Sequence, residues 1–571
     1  MSHRILSGPS LALITGLLVA CGGGNSTAPQ GPAPTLASVS PKTGTAGTEL
    51  TLTGTNFRAG ATVFLDSAAA DSVQVANATT VYTLVPPGVI LSHAYAVKIR
   101  NSDGTTAMLN NAFTPVAPLL QYVNGATKPS GNVGSTVIVE GQAFGDRQGS
   151  AQVLFSNGTG GTVAAVIAGP SDWTNTFVVT TVPAGAASGD VKVQTATGAS
   201  NALTFTVTTN ATFSPSTISW TSTAALPVAL SGHSAAFAVV GGATTHNVVY
   251  VTGGADSTYA PKNTVYYDTI GTSAQLGASW TSTTALPAAV AFHASAVATP
   301  ANSRVKGAGF IYVFGGANNA AGTPTAGIYR GALDSLTGAV TGWTTLGTNL
   351  PAAIHSLGAV IFRGDLYIAG GATTGNVPVA AVYRARIDST GVLGSWQAEP
   401  ALPFGRAHHG FGQFGGYLYA FGGDSAAVTP NDSNYTNNAT KVGQIAYIRI
   451  NLRTGDLVGP NWTVNSGGLT KVVSKHTAVI AGGNVLVTAG LYNGAATGST
   501  EQTYAQINSD GSVGSFAGAT GSHTIQSAGG KNLFNHAALG YVDASGVAHV
   551  LVLGGDDVNA PGKKRAEVWF Y

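Results

Sequence analysis

The sequence predicts an all-β protein, with two small β-sandwiches in the first third of the chain followed by a six-fold repeat of four-stranded units. Three observations carry this. Charged residues make up 8% of 571 and glycine numbers 77, against about 25% charged and about 7% glycine in ordinary globular chains. Short alternating apolar runs separated by glycine turns fill residues 34–208. From residue 213 a succession of Trp, His, Gly-Gly and Tyr recurs six times, at a period of about 59 residues. The same composition excludes other classes. Twenty-five basic against 23 acidic residues give no electrostatic grip on a polyphosphate backbone, so no nucleic-acid partner is expected. Disordered chains are apolar-poor and highly charged, and this one is 44% hydrophobic. After the first 20 residues no segment carries a helical period.

The N-terminus reads as a targeting segment. Arg4 precedes the apolar run 11–19, and Ala20-Cys21-Gly22 follows it. The run is too short for a stable membrane span and suits a secretory signal. Leu18-Val19-Ala20-Cys21 resembles the lipobox of bacterial lipoproteins, in which the peptide is cut before a cysteine that is then lipidated. The resemblance implies a signal peptide over 1–20, lipidation at Cys21, and a membrane partner reached through the lipid. It also implies a place in the bacterial cell envelope; with no aspartate after the cysteine, that place is the outer membrane or cell surface. An ordinary signal peptide with an incidental cysteine is the alternative. Cys21 is the sole cysteine, which excludes an intrachain disulfide and any thiol nucleophile in the body of the protein. The Gly/Ser/Pro-rich stretch 21–33 reads as a flexible tether.

Residues 34–115 alternate with period two at Glu49–Thr53 and Ala61–Leu65, with glycine turns between. The strings Ser38-Val-Ser-Pro41, Leu52-Thr-Gly-Thr-Asn-Phe57, Val85-Pro-Pro-Gly88 and Ala112-Phe-Thr114 resemble the IPT/TIG family of immunoglobulin-like domains. A weaker copy spans 118–208, with Phe144-Gly145, Val182-Pro-Ala-Gly185 and Phe205-Thr-Val207 in the same order. The resemblance implies two spacer or interaction modules without catalytic residues. Trp173 is read as packing, with a sugar-stacking platform as the alternative.

In the repeat region Trp220, Trp280, Trp343, Trp396 and Trp462 mark successive units, and Phe516 takes the sixth place. Each unit then carries a histidine (His233, His293, His355, His409, His476, His536), a strand ending Gly-Gly or Ala-Gly, and a strand bearing tyrosine or tryptophan. This order resembles the Kelch β-propeller and implies six blades over 213–571. The region opens on a tryptophan strand at Ile218–Trp220 and ends on a tyrosine-type strand at Val568–Tyr571. Pairing the two would close the ring.

Antiparallel order within a blade puts the histidines and the residues after Gly-Gly on one face. That face gains Arg406, His408, Lys475, Asp424, Asp556 and Asp557, with Asp256, Asn318 and Asn493. Convergent polar groups on a concave face are the default ligand site, and a protein or glycan ligand is expected there. The histidines read as caps of loop backbone or, two or three together, as a metal site. No cofactor is required, although the long Asn/Asp-rich loop 424–440 offers oxygen ligands suited to calcium. Asp365 and Asp388–Gly394 on the other face read as plain hairpins. No Ser-His-Asp set or phosphate loop stands out, which favours a binding protein over an enzyme. The Kelch resemblance keeps one enzymatic alternative, a sialic acid mutarotase-like activity; the copper oxidases on that scaffold need a cysteine that this region lacks.

Overall fold

The computed structural model describes residues 31–208, 213–241, 245–271, 275–428, 430, 441–492, 502–518, 533–543, 546–557 and 563–571. The expectations for 1–20, Cys21, Asn493 and most of loop 424–440 fall outside these residues. Among the described residues the chain is all-β, and its only helical pieces are the single turns Pro170–Asp172, Pro215–Thr217 and Thr374–Asn376. None is long and apolar enough to cross a membrane. The chain divides into two compact units, the first drawn from residues before Pro115 and the second containing Pro115–Tyr571.

Residues 35–115 form two sheets. Thr35–Ser40, Glu49–Thr55, Thr80–Leu84 and Asp71–Asn77 make one, in that order across the sheet; Thr106–Pro115, Tyr95–Arg100 and Thr62–Leu65 are central in the other. The predicted alternation is seen directly: Leu50 and Leu52 are fully buried while Glu49, Thr53 and Thr55 face out.

Residues 119–208 repeat that strand order in two further sheets, without a counterpart of Asp71–Asn77. Their core gathers Leu120, Val139, Phe144, Phe155, Trp173 and Phe205. Trp173 is 1% exposed and its indole N–H reaches the carbonyls of Phe144 and Gly145, both at 3.1 Å. It packs and presents no stacking surface.

Six antiparallel sheets follow. Their first strands are Ser234–Gly241, Ala294–Ala298, Gly358–Phe362, Gly410–Phe414, Thr477–Ala481 and Ala537–Val542. Each lies beside the first strand of the next sheet, and the sixth lies beside the first. In the sixth sheet the outer strand comes from the start of the region: Thr221, Ser222 and Thr223 pair with Phe570, Trp569 and Val568. The pairing begins one residue beyond the expected Ile218–Trp220.

Side chains tie neighbouring sheets together. The hydroxyls of Tyr250, Tyr312 and Tyr367 donate to the carbonyls of Gly338, Gly391 and Gly455 in the following sheet, at 2.6, 2.7 and 2.5 Å. In the other direction the indoles of Trp280, Trp343, Trp396 and Trp462 donate to Ala224, Thr284, Asn349 and Pro400. The second sandwich rests on the hairpin turns of three sheets. Arg304 pairs with Glu140 at 2.5 Å and lies over the Tyr122 ring; Arg363 donates to the Thr136 carbonyl; Arg453 lies over Phe177 beside Asp172.

Candidate functional site

Just before each first strand one residue takes a left-handed backbone: Gly232, Phe292, Ser356, His408, Lys475 and Asn535, all with φ between 50° and 57°. Their peptides hydrogen-bond in a closed circuit. Phe292 N–H donates to Gly232 O (2.6 Å), Ser356 to Phe292 (2.6 Å), His408 to Ser356 (3.2 Å), Lys475 to His408 (3.0 Å), Asn535 to Lys475 (3.0 Å) and Gly232 to Asn535 (2.8 Å). Five of the six are not glycine, and each holds that backbone at a cost of about 1 kcal/mol or more. The circuit surrounds a cavity of about 250 Å³, walled also by small residues such as Ser234, Ser295, Gly358, Gly410 and Ala538. Its rim is lopsided: Ser356, His408, Lys475 and Asn535 occupy one arc, Gly232 and Phe292 the other.

Five of the histidines stand on the expected face: His233, His293, His409, His476 and His536 follow the left-handed residue and border the cavity, and their imidazoles pack against the paired glycines of the seams between sheets. A Cβ on Gly254, Gly316, Gly423, Gly490 or Gly555 would fall 2.7–2.8 Å from the histidine Cβ of its own sheet. A Cβ on Gly253, Gly370, Gly422 or Gly554 would fall 2.7–2.9 Å from the imidazole Cε1 of the neighbouring sheet's histidine. The pairs Gly253-Gly254, Gly422-Gly423 and Gly554-Gly555 therefore make room for two imidazoles each and the other three for one, at a φ that side chains also resist. His293 and His536 bond the hydroxyls of Thr252 and Thr488 at 2.8 and 2.9 Å. Neither ring nitrogen of His409 has a protein partner among the described residues, whereas backbone hydrogen bonding at Leu553 and Phe421 favours the charged forms of His233 and His476 against their burial. Burial pushes His233 and His476 down to about 4 and His293 and His536 to about 3, with His409 also well below the usual range. These five are neutral spacers within the seams.

The third sheet breaks the pattern. Its left-handed residue is Ser356, so Leu357 stands in the histidine position, and His355 sits one residue before the circuit. His355 is fully buried, bonding Ser356 Oγ and Asn376 Oδ1, each at 3.0 Å. Six equivalent histidines become five and one.

Of the other expected residues, His408 and Lys475 line the cavity. Arg406, Asp424 and Asp556 do not. Arg406 is 0% exposed and spends its guanidinium on the carbonyls of Gly422 and Gln444 (3.2 Å each) and on Gln444 Oε1; burial pushes it down to about 10. Asp424 and Asp556 follow the Gly-Gly pairs of the fourth and sixth sheets and stand behind the rim. Asp424 Oδ2 lies 3.1 Å from His408 Nδ1. Burial pushes its carboxyl up, but the His408 hydrogen bond and the charges of His408, Lys475 and Lys441 outweigh that and hold it low. Asp556 accepts from Asn535 Nδ2 at 3.2 Å and from the Lys564 ammonium, and Asp557 pairs with Arg565. Asp424 and Asp556 thus each orient a rim side chain of their own sheet. Asp365, expected in an exposed hairpin, is 2% exposed and pairs with Arg386 at 2.6 Å and Arg384 at 3.4 Å, because the turn ends one residue earlier. Among the described residues no group of three His, Cys, Asp or Glu side chains is placed to hold a metal ion.

Sequence reasoning missed Phe292, Ser356 and Asn535. Their one signal is position, immediately before the recurrent histidine or its leucine substitute.

Residues 34–115 match the family model of the IPT/TIG domain. No curated protein matches the chain. A solved structure titled "Structure of YjhT" is similar over 61% of this chain and 95% of its own, at 14% identity and a TM-score of 0.41; so loose a superposition adds nothing to the geometry above.

Proposed function

We propose that the chain is a lipid-anchored binding protein of the bacterial cell envelope, facing outward at the outer membrane or cell surface. Residues 1–20 are its signal peptide, Cys21 its lipidated residue, and the sandwiches its spacer. Residues 213–571 are a six-bladed Kelch-type β-propeller that takes a protein or glycan ligand at the axial cavity. The observation that carries this is the closed peptide circuit, which spends backbone strain to aim Phe292, Ser356, His408, Lys475 and Asn535 around one opening. A cavity of about 250 Å³ suits one inserted sugar ring or side chain rather than a flat partner surface. The fragment from Asn25 onward, tested on a glycan array and against surface proteins, should bind, and the ligand should be lost about ten-fold (about 1.4 kcal/mol) with Phe292→Ala plus Asn535→Ala. Asp388→Ala, in the turn between Val382–Arg386 and Gln397–Glu399 on the face away from the rim, should bind as the parent does. Retention by the rim double variant overturns the site. Cys21→Ser should move the protein out of the membrane fraction, and unchanged fractionation overturns the anchor.

A second reading has one observation in its favour. His408, backed by buried Asp424 and bordering the cavity, pairs an imidazole with a carboxylate as a general acid–base does. A mutarotase-like enzyme would use it to exchange sugar anomers. Anomer exchange followed by NMR, abolished in His408→Gln, would favour this reading over binding alone.

A further inference from the structure

The seam between the fourth and fifth sheets differs from the three before it. Tyr419 is the fourth tyrosine of the series Tyr250, Tyr312, Tyr367, and those three donate their hydroxyls to the next sheet. Tyr419 is equally buried, at 0% exposed, yet its hydroxyl finds no partner among the described residues. The reciprocal tie is missing too, since Phe516 stands in the tryptophan place and has no N–H to give. In that seam lies a cavity of about 300 Å³, with Tyr419 among its walls. It opens among the turns that join first to second and third to fourth strands, at the end of the sheets opposite the peptide circuit. Phe414 and Tyr417 supply aromatic surface, and Asn484, Gln506 and Asn508 supply carboxamides.

Among the described residues no charged side chain lines this cavity. Aromatic rings beside carboxamides and one hydroxyl match a neutral polyhydroxylated ring, which offers C–H faces to stack and hydroxyls to exchange hydrogen bonds. An unmade hydrogen bond on a buried hydroxyl is a standing cost that a ligand hydroxyl removes. We infer that the seam between the fourth and fifth sheets is a second binding site, taking a single neutral sugar ring, with Tyr417 as its platform and Tyr419 as its buried hydroxyl. The site is independent of the axial cavity.

The test uses the full-length protein in a non-glycosidic detergent and saturation-transfer NMR with methyl glycosides of glucose, galactose, mannose and N-acetylglucosamine. At least one should receive saturation. In a Phe292→Ala plus Asn535→Ala background, which removes any sugar held at the axial cavity, transfer should persist; adding Tyr417→Ala should abolish it, and adding Tyr419→Phe should weaken the affinity about five-fold. Transfer to none of the four in that background, or transfer there that survives Tyr417→Ala, overturns the site. Melting separates binding from folding. Tyr419→Phe should melt as the parent does, whereas Tyr367→Phe, which loses a made hydrogen bond, should melt lower. Equal losses in both variants would mean that the Tyr419 hydroxyl is already bonded within the protein, and the inference would fall.

Discussion

Each of the five seam imidazoles packs against paired small residues beside the axial cavity, in surroundings that penalise its charged form. His233, His293, His409, His476 and His536 all have folded-state pKa values lowered by burial from the usual 6.5. Because the folded values lie below the unfolded one, the stability they contribute is complete above pH 6.5 and is lost as pH falls toward 4. At pH 5 the four histidines pushed down to about 3 or 4 each give up about 2 kcal/mol, and His409 shifts stability in the same direction. Asp365, raised by burial to about 6, works the opposite way but is a single group. Melting followed by circular dichroism should therefore fall steeply between pH 6.5 and 5; a flat profile would show the imidazoles to be hydrated. Arg406 belongs to the same scale. From the sequence it was a cation on a ligand face, because a lone arginine beside histidines gives no hint of whether it faces water or backbone carbonyls. The structure makes it a buried cap, and Arg406→Ala should destabilise by about 3 kcal/mol through the carbonyls it leaves unsatisfied.

Among the elements, the closing strand bears the largest consequence. Val568 and Phe570 are buried and pair with Thr223 and Thr221, so removing Glu567–Tyr571 strips a core strand and exposes two sheet edges. Burial of the two side chains alone is worth about 4 kcal/mol. The truncated protein should melt lower and aggregate on heating, as followed by light scattering; a melt as hot and as cooperative as the parent's would refute the closure. Elements of this kind were legible because tryptophan, tyrosine and Gly-Gly are spaced by strand length and turn length. The slip in the third sheet was not. His355 falls two residues from the place Leu357 occupies, and loops of uneven length conceal an offset of that size.

For the second unit as a whole, the arginines at 304, 363 and 453 fix the second sandwich against the turns of the sheets. Lys128 N–H donates to the Pro300 carbonyl across the same contact at 2.8 Å. The sequence read this sandwich as part of a spacer, and three arginines scattered over 150 residues carry no pattern that would have said otherwise; only the folded ring collects them. With Arg304→Ala plus Arg453→Ala the contact should loosen, and exchange of the Lys128 amide should quicken by about ten-fold, or about 1.4 kcal/mol. Unchanged exchange would mean that backbone contacts alone hold the sandwich.

The peptide circuit around the axial cavity has one further property. A helix accumulates a dipole because its aligned peptides begin at one end and stop at another. Here six hydrogen bonds run head to tail in one rotational sense and return to their start, so their components around the circle cancel and the loop has neither a positive nor a negative pole. The circuit therefore has no charged end lying in its own plane, unlike a helix terminus, and Lys475 and His408 are the ionisable side chains of the six residues that form it.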